Sequence, residues 1–348
     1  MTTEKQLVLV TGGSGFIGSH CIIQCLAAGY RVRTTVRSLA REEEVREMLR
    51  VGDAINLEDV SFVEADLNSD EGWTEAAKDC TYVLHVASPF PPAAPKHEND
   101  LIIPARDGTL RVLRAARDAK VKRIVVTSSM AAVSVGHQNT GPGTSFTEES
   151  WSNLDSSEAS AYDKSKTLAE RAAWDFIQNE GRGLEMSVIN PSMVMGPVLA
   201  QDTSSSIEVI RRLISGEIPG CPRLEFGVVD VRDVASLHLL AMTHDKANGE
   251  RFICMSPPSM TIQEMSLALR ETLGTKAKKC PTRTIPNFVM RILGWFDPAI
   301  ALVVKYLDEP VAASIDKAKS LLGWTPRSNV DSVIATAESL LRLGIVKQ

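Results

Sequence analysis

The chain has 348 residues, of which 44% are hydrophobic and 23% charged, and its formal net charge is −5. These values are typical of a globular protein with one large or two modest domains, and the lack of a basic block argues against nucleic acid as a partner. The six cysteines follow neither zinc-ligand nor CxxC spacing, so we expect free thiols in a reducing compartment and no metal site.

The N-terminal residues favour a cytoplasmic protein. MTTEKQLVLV carries charges before an apolar run that is too short for the hydrophobic region of a signal peptide. The sequence shows no apolar stretch of the length that spans a bilayer. We therefore expect cytoplasmic localisation and no membrane partner.

Residues 7–18 (LVLVTGGSGFIG) predict a strand, a glycine-rich turn and the start of a helix, which is the arrangement of a dinucleotide site. The first glycine of the GxxGxxG spacing permits the tight turn, the second lets backbone N–H groups approach a pyrophosphate, and the third lets the helix lie close to the strand. The helix N-terminus offers unpaired donors and a partial positive charge to the phosphates. The residues assigned to the phosphates are Gly12, Gly15, Phe16, Ile17 and Gly18.

Strands and helices alternate through the first half of the chain. Further strands are predicted at 30–36, 60–65, 81–86, 123–127 and 184–190, and helices at 16–29, 40–51, 69–79, 99–118 and 158–180. This alternation predicts an α/β fold with a Rossmann-type doubly wound parallel sheet. The proline-rich segment 89–95 predicts a loop at the carboxyl end of a strand, where open α/β sheets bind ligands.

The second half changes to irregularly spaced helices separated by prolines, which we interpret as a smaller, mostly helical substrate lobe. Helices are predicted at 206–215, 232–243, 262–273, 286–305, 315–322 and 330–343. FGVVDV at 226–231 and RFICM at 251–255 are expected to return to the main sheet as strands. The expected division is a dinucleotide-binding domain of 1–191 and 228–256, a substrate lobe of 192–227 and 257–329, and a C-terminal helix of 330–348.

Arg37 follows the second predicted strand, 19 residues after Gly18. An NAD enzyme usually has Asp or Glu here to bond the ribose 2′-hydroxyl, whereas an Arg suits a 2′-phosphate. Arg41 follows one helical turn later and is placed to join it. These residues predict NADPH (or NADP) rather than NADH, the alternative being a solvated basic loop.

Tyr162 and Lys166 stand four residues apart on a predicted helix, so their side chains share one face. A phenol has a pKa near 10 and is a poor acid–base catalyst at pH 7 unless a cation stabilises its phenolate. We expect Lys166 to lower the pKa of Tyr162 by up to about 3 units before desolvation opposes the change. Such a pair also occurs on ordinary helix surfaces, and the dinucleotide turn is what favours a catalytic role.

Ser128 and Ser129 end the fifth predicted strand, on the same rim as the cofactor. A hydroxyl there can bond a substrate oxygen and stabilise its changing charge. The alternative is a pair of serines that terminates the strand and caps the next segment of the chain.

Four segments together resemble an extended short-chain dehydrogenase/reductase: TGGSGFIGSH at 11–20, VTSS at 126–129, YDKSK at 162–166 and NPSMVMGP at 190–197. They are more closely similar to the dihydroflavonol-reductase-like branch, which also contains cinnamoyl-CoA reductases, anthocyanidin reductases and aldehyde or ketone reductases. HVASPF at 85–90, VVDVRDVA at 228–235 and KAKSLLGWTPRS at 317–328 extend the resemblance over nearly the whole chain.

The resemblance implies that Tyr162 is the proton donor and that Ser129, with Ser128 as second choice, is the catalytic serine. Lys166 is expected to act as the partner of Tyr162 and to orient the cofactor ribose, so that Tyr162 and Lys166 also count as cofactor-binding residues. It also implies three sets of cofactor contacts. Asp66 and Leu67 are expected at the adenine, and Ala87 and Ser88 beside the nicotinamide. Pro191, Ser192 and Val194 are expected over the nicotinamide amide.

Two segments depart from the family pattern. The fourth catalytic residue of short-chain enzymes, an Asn on the helix before strand five, has no counterpart in IIPARDGT at 102–109. A proton relay through water or another group is expected instead. The plant cinnamoyl-CoA reductase signature NWYCYGK is replaced by SAYDKSK at 160–166.

The leading hypothesis is an NADPH-dependent carbonyl reductase acting on a small-molecule aldehyde or ketone, as a monomer or homodimer. Candidate apolar pocket residues, each of which could equally belong to the lobe core, are Phe90, Met130, Met193, Val198, Leu199 and Phe226. One alternative is a nucleotide-sugar epimerase or dehydratase with retained cofactor, for which Arg211, Arg212 and Arg223 are available. The other is a non-catalytic NADP-sensing protein, against which the Tyr/Lys pair argues.

Overall fold

The computed structural model describes residues 5–89, 97–137, 145–201, 204–296, 304, 306–309 and 312–346. Its strands, in chain order, are β1 Leu7–Thr11, β2 Arg31–Val36, β3 Val60–Glu64, β4 Tyr82–His85, β5 Arg123–Thr127, β6 Glu185–Pro191, β7 Met193–Met195, β8 Glu225–Asp230, β9 Arg251–Cys254 and β10 Ser256–Thr261. The α-helices are α1 Phe16–Ala27, α2 Glu42–Val51, α3 Trp73–Ala77, α4 Asn99–Asp118, α5 Ala161–Glu180, α6 Ser205–Ser215, α7 Val231–Thr243, α8 Ile262–Leu273, α9 Asn287–Gly294, α10 Asp316–Leu322 and α11 Asn329–Arg342.

Seven of the described strands form one parallel sheet in the order β3-β2-β1-β4-β5-β6-β9. The strand order reverses between β1 and β4, and the predicted doubly wound fold is confirmed. Alternate residues of β1 enter different cores, because side chains alternate across a strand. Val8 and Val10 pack with α1, α2 and α7, whereas Leu7 and Leu9 pack with α3, α4 and α5 on the opposite face.

A second sheet of three strands is ordered β10-β8-β7. It packs with α6, α8, α9 and α11 around a separate apolar core, which is called the lobe core below. The prediction that 226–231 returns to the main sheet is wrong, since β8 pairs parallel to β7 and antiparallel to β10. β7 starts two residues after the end of β6 and leads the chain away from the main sheet, where β9 occupies the position beside β6. An apolar run shows that a strand is buried, but it does not identify the strand's partner. The segment 251–255, by contrast, returns to the main sheet as predicted.

A capping box fixes the start of α5, which the sequence placed three residues early. The Ser160 hydroxyl accepts a hydrogen bond from Asp163 N at 3.3 Å, and Asp163 Oδ2 accepts one from Ser160 N at 2.9 Å. This exchange satisfies N–H groups that the helix start leaves unpaired. It also fixes Tyr162 in the first turn of the helix.

The helix predicted at 286–305 is shorter where it is described. α9 ends at Gly294, and residues 297–303 and 305 of the predicted span lie outside the described part of the chain. Its buried residue Met290 packs into the lobe core with α6, α8 and α11. None of the helices in the described ranges is long and apolar enough to cross a membrane.

Arg123 joins the start of β5 to the end of α7. Only 1% of the residue is exposed. Its Nη1 donates to the carbonyl oxygens of Ala241 and His244 at 3.0 and 2.6 Å, and its Nε donates to Glu185 Oε2 at 2.8 Å. The last carbonyls of a helix have no intrahelical partner, so this guanidinium supplies donors that buried backbone needs.

We expect Arg123→Met to lower the free energy of unfolding by about 3 kcal/mol, because buried carbonyls then lose their donors. Urea denaturation measures the change. The control is Arg212→Met, which removes a 56% exposed guanidinium paired with Glu208 and should change little. Equal losses in the two variants would contradict the role given to Arg123.

Candidate active site

The carboxyl edge of the seven-stranded sheet gathers the residues that the sequence singled out. Gly12 follows β1, Arg37 follows β2, and Asp66 and Leu67 come just beyond β3. Further along the edge, Ala87 and Ser88 come after β4, and Ser128 and Ser129 follow β5. Ser192 follows the end of β6. Parallel strands end at one edge, which is where such sheets bind ligands.

The glycine turn has the shape that a pyrophosphate needs. Gly12 has a φ of +72°, which favours glycine. A Cβ at Gly18 would lie 2.3 Å from the Gly12 carbonyl oxygen, and a Cβ at Gly15 would lie 3.2 Å from it. Helix α1 starts without a side-chain cap and without an acidic residue in its first turn. Its first N–H groups, from Phe16 to Gly18, therefore face an open cradle that fits a dinucleotide phosphate.

Thr11 holds the neighbouring strand end against this turn. Its hydroxyl accepts hydrogen bonds from Val86 N and Ala87 N at 3.1 and 3.0 Å, and lies 2.9 Å from His85 Nδ1. These contacts place Ala87 against Gly12, where a Cβ on the glycine would be 3.1 Å from the Ala87 Cα. Thr11 belongs to none of the motifs expected to carry function, although a hydroxyl at a strand end is a usable signal.

The two arginines expected at the adenosine end differ in their surroundings. Arg37 is exposed and has no hydrogen-bond or ion-pair partner among the described residues. Arg41 is held by Glu44 through two hydrogen bonds, of 2.9 and 2.7 Å. The guanidinium of Arg37 is therefore available to a phosphate, whereas Arg41 must first release the Glu44 carboxylate before it can bind one.

Asp66, Leu67 and the residues after β6 occupy the flanks of the cradle. Asp66 Oδ1 accepts a hydrogen bond from Asn68 N at 2.8 Å, and Leu67 packs against Gly108 of α4. Ser192 N donates to the Cys254 carbonyl at 3.0 Å, whereas Val194 pairs with Val229 in the lobe sheet. Pro191 is the last residue of β6. In the cofactor arrangement expected from the sequence, Asp66 and Leu67 lie on the adenine side. Pro191, Ser192 and Val194 lie on the nicotinamide side.

Ser129, Tyr162 and Lys166 converge at the middle of the edge. The Ser129 side chain interacts with the Tyr162 hydroxyl closely enough to lower its pKa, and it accepts a hydrogen bond from Ala131 N at 3.1 Å. Lys166 Nζ lies 5.9 Å from the centre of the Tyr162 ring and donates to Ser88 Oγ at 3.0 Å. Ser128 points elsewhere, since it is buried and donates to Glu170 Oε2 at 2.5 Å. The geometry thus favours Ser129 over Ser128 as the partner of Tyr162.

In this structure desolvation outweighs the expected lowering of the Tyr162 pKa. Desolvation of the hydroxyl raises the pKa above its ordinary value, and the bond from Ser129 opposes that rise only in part. Burial lowers the pKa of Lys166 to about 8, while the negative charge of Glu170 opposes the change. Tyr162 is therefore protonated at neutral pH, in the form that can act as an acid.

A small cavity lies behind Lys166, in the region where the family has its fourth catalytic residue. It has a volume of about 20 Å³, and its lining includes Ala105 and Thr109 from α4 together with His85, Lys166 and Glu170. Ala105 and Thr109 belong to the IIPARDGT segment that lacks the Asn. The cavity has room for about one water molecule beside polar groups.

Of the apolar residues expected to line a pocket, Phe90 lies outside the described residues. Met130, Val198 and Leu199 are buried, at 6%, 1% and 5% exposure. These side chains therefore pack in the protein interior and do not line an open substrate pocket. Met193 and Phe226 are half-buried at the margin of the lobe core and remain accessible.

The arginines considered for a nucleotide-sugar diphosphate are engaged in ion pairs. Arg211 and Arg212 both pair with Glu208, and Arg223 pairs with Asp308. In the described part of the chain, no three His, Cys, Asp or Glu residues form a group that could hold a metal ion.

We expect Gly18→Ala to lower the free energy of unfolding by about 1–3 kcal/mol, because the new methyl group meets backbone and α1 must move away from the turn. Gly15→Ala is the matched control, since its methyl group meets the same carbonyl at 3.2 rather than 2.3 Å. Thermal or urea unfolding should show the larger loss for Gly18→Ala. Equal losses would mean that the approach of α1 to the turn is not tight.

Known proteins that resemble this chain include named reductases. The family model for the NAD dependent epimerase/dehydratase family matches residues 8–254. The chain is 35% identical to dihydroflavonol 4-reductase of Hordeum vulgare, over 74% of this chain and 72% of that protein. It is 33% identical to a putative NADPH-dependent methylglyoxal reductase GRP2 of Candida albicans, over 77% and 84%.

A solved structure of yeast methylglyoxal/isovaleraldehyde reductase Gre2 complexed with NADPH superposes with a TM-score of 0.80 at 27% identity. The match covers 98% of this chain and 100% of that one. With its doubly wound sheet, its glycine cradle and the Tyr162–Lys166 pair, this chain belongs to the NAD dependent epimerase/dehydratase family and is similar to the dihydroflavonol-reductase-like branch of its extended short-chain dehydrogenases/reductases.

Proposed function

We propose that this protein is an NADPH-dependent reductase that converts an aldehyde or ketone to an alcohol. The observation that carries the proposal is the convergence of Ser129, Tyr162 and Lys166 on the edge that also bears the glycine cradle. The named activities of its relatives, which include a methylglyoxal reductase and a dihydroflavonol reductase, support it.

In this proposal the cofactor lies along the edge, from Arg37 at the 2′-phosphate, over Gly12 to Gly18 at the pyrophosphate, to Ser88 and Ser192 near the nicotinamide. A hydride delivered to the carbonyl carbon is the chemistry that bound NADPH supplies. Ser129 Oγ accepts a bond from Ala131 N, and when substrate binds its own proton turns from the Tyr162 oxygen to the carbonyl oxygen. That bond polarises the carbonyl and holds its oxygen beside the phenol.

Tyr162 then gives its proton to the oxygen, which completes the alcohol and leaves a phenolate. The raised pKa of Tyr162 favours its protonated form before the reaction. The ammonium of Lys166 stabilises the phenolate afterwards by Coulomb attraction. The cavity beside Lys166 and Thr109 gives a water molecule a place from which to return a proton, as the missing Asn would require.

In this proposal the substrate is a small molecule that contacts the accessible margin of the lobe core. Met193 and Phe226 offer apolar surface beside the edge, which suits a carbonyl compound with an apolar substituent. A panel of methylglyoxal, isovaleraldehyde, aromatic aldehydes and dihydroflavonols, followed by NADPH absorbance, identifies the substrate class. The ion-paired state of Arg211, Arg212 and Arg223 disfavours a nucleotide sugar.

We expect Tyr162→Phe to lower kcat by about 10²–10⁴-fold, because the proton donor is lost. Its NADPH dissociation constant, measured by fluorescence, should stay within about threefold of the wild-type value, since the ring is retained. Tyr30→Phe is the control, because this half-buried tyrosine packs against Tyr82 on a different part of the fold. Full turnover by Tyr162→Phe on the best substrate would exclude Tyr162 as the donor.

We expect Arg37→Ala to lower the ratio of kcat/KM with NADPH to kcat/KM with NADH by about tenfold or more, since one charge-assisted contact to the 2′-phosphate is lost. Arg41→Ala is the matched variant and should have a smaller effect, because Glu44 already occupies that guanidinium. Steady-state kinetics with both cofactors decide the matter. An unchanged ratio in Arg37→Ala would assign the 2′-phosphate to another residue.

A further inference from the structure

Glu170 lies on the same face of α5 as the catalytic pair, one turn beyond Lys166 and two turns beyond Tyr162. It is 1% exposed. Burying a carboxylate is costly unless donors surround it. The family resemblance and the sequence pattern gave this residue no role.

Donors from several elements surround the Glu170 carboxylate. Oε2 accepts hydrogen bonds from Ser128 Oγ at 2.5 Å and Asn190 Nδ2 at 2.8 Å. Oε1 accepts bonds from Arg251 Nε at 2.5 Å and Trp174 Nε1 at 3.3 Å. Strands β5, β6 and β9 thus meet at one side chain of α5, so the position of this carboxylate is fixed by three neighbouring strands.

The same group of side chains reaches the catalytic serine. Asn190 Nδ2 donates both to Glu170 and, at 3.2 Å, to the carbonyl oxygen of Ser129. Ser128, which donates to Glu170, is the residue directly before Ser129. The carboxylate is therefore connected, through Asn190 and Ser128, to the strand end that carries Ser129. The Ser129 side chain in turn interacts with the Tyr162 hydroxyl.

Glu170 also faces Lys166 across the small cavity that both residues line. The other groups around the ammonium are Tyr162 on the same helix, Ser88 at 3.0 Å and His85 from β4. Burial and the nearby Lys166 lower the pKa of His85 to about 3, so its ring is neutral at working pH. Among the groups that line the cavity, Glu170 supplies the negative charge for Lys166.

The counter-ion of Glu170 is Arg251, which makes its contacts outside the cavity. Arg251 does not line the cavity. Its Nη1 donates to the carbonyl oxygens of Glu148 and Ser150 at 2.6 and 3.0 Å, and its guanidinium stacks 3.8 Å from the centre of the Trp151 ring. Of the two members of the ion pair, Glu170 alone thus lines the cavity together with Lys166.

We propose that Glu170 is the positioning residue of this active site, whose fixed, buried carboxylate keeps Lys166 as an ammonium ion facing Tyr162 during turnover. Glu170 touches neither substrate nor cofactor in this account and acts through Lys166. The inference rests on the proposed reductase function, in which Tyr162 is the donor.

The test is the pH dependence of kcat/KM for carbonyl reduction by Glu170→Gln. The reactive form carries a proton on Tyr162 and another on Lys166, and loss of either one ends the reaction. Removing a negative charge makes that loss easier, so the falling limb at high pH should move to lower pH. We expect a displacement of about one pH unit. A limb that stays at its wild-type position overturns the proposal.

Arg251→Gln is the matched control, because it breaks the same buried ion pair from the other side. Ser128, Asn190 and Trp174 still donate to Glu170 in that variant, so three of its four donors remain. The falling limb should then stay in place or move to higher pH. If both variants move the limb down equally, Glu170 acts only through the general packing of the site, and the proposal is wrong.

NADPH binding by fluorescence verifies that each variant is folded. If Glu170→Gln alone does not fold, the variant Glu170→Gln/Arg251→Gln, which buries no unpaired charge, is measured against Arg251→Gln with the same two outcomes. Tyr162→Phe separates the two hypotheses. Retained turnover in Tyr162→Phe rejects the proposed function, whereas an inactive Tyr162→Phe with an unmoved Glu170→Gln limb rejects the inference alone.

Discussion

The close approach of Gly18 to the carbonyl oxygen of Gly12 sets the distance between α1 and β1, and the site depends on that distance. A side chain at position 18 would put a carbon 2.3 Å from this oxygen, so a larger residue would push the helix outward. With the helix in place, its uncapped N-terminus faces the carboxyl edge of the sheet. The positive end of the helix then lies at the edge where the parallel strands end.

Buried polar groups do the rest of the positioning along this edge. Thr11 ties β1 to the end of β4, and Glu170 ties α5 to β5, β6 and β9. Such groups are stable in the interior only when their hydrogen bonds are complete. The strand ends are thus fixed relative to one another before any ligand binds, and the distances among Ser129, Tyr162 and Lys166 follow from them.

Local pattern predicted most of the main sheet and the helices that flank it. The bounds of α4, α8 and β5 are those expected from hydrophobic periodicity and end signals. Strand β10 went unpredicted because its two prolines are typical of loops, and β7 because it has three residues. The partner of β8 could not be predicted, since pairing is decided by the path of the chain in three dimensions.

The candidate site divides in the same way. Gly12, Tyr162 and Lys166 carry motif spacings that are readable along the sequence, and the structure brings them to one edge. Glu170 and Arg251 are 81 residues apart, and neither belongs to a spacing that predicts their contact. The pKa of Tyr162 also could not be predicted, because it depends on the desolvation of its hydroxyl more than on the nearby charge.

The central claim is that the edge of this sheet delivers a hydride from NADPH to a carbonyl carbon, with Tyr162 as proton donor. The direct test is a reaction of the protein with NADPH deuterated at the transferred C4 position and the best carbonyl substrate of the panel. The account predicts one deuterium on the carbinol carbon of the product, with one NADP formed per alcohol. Product formed without net oxidation of the added cofactor, or an alcohol without deuterium, would contradict it.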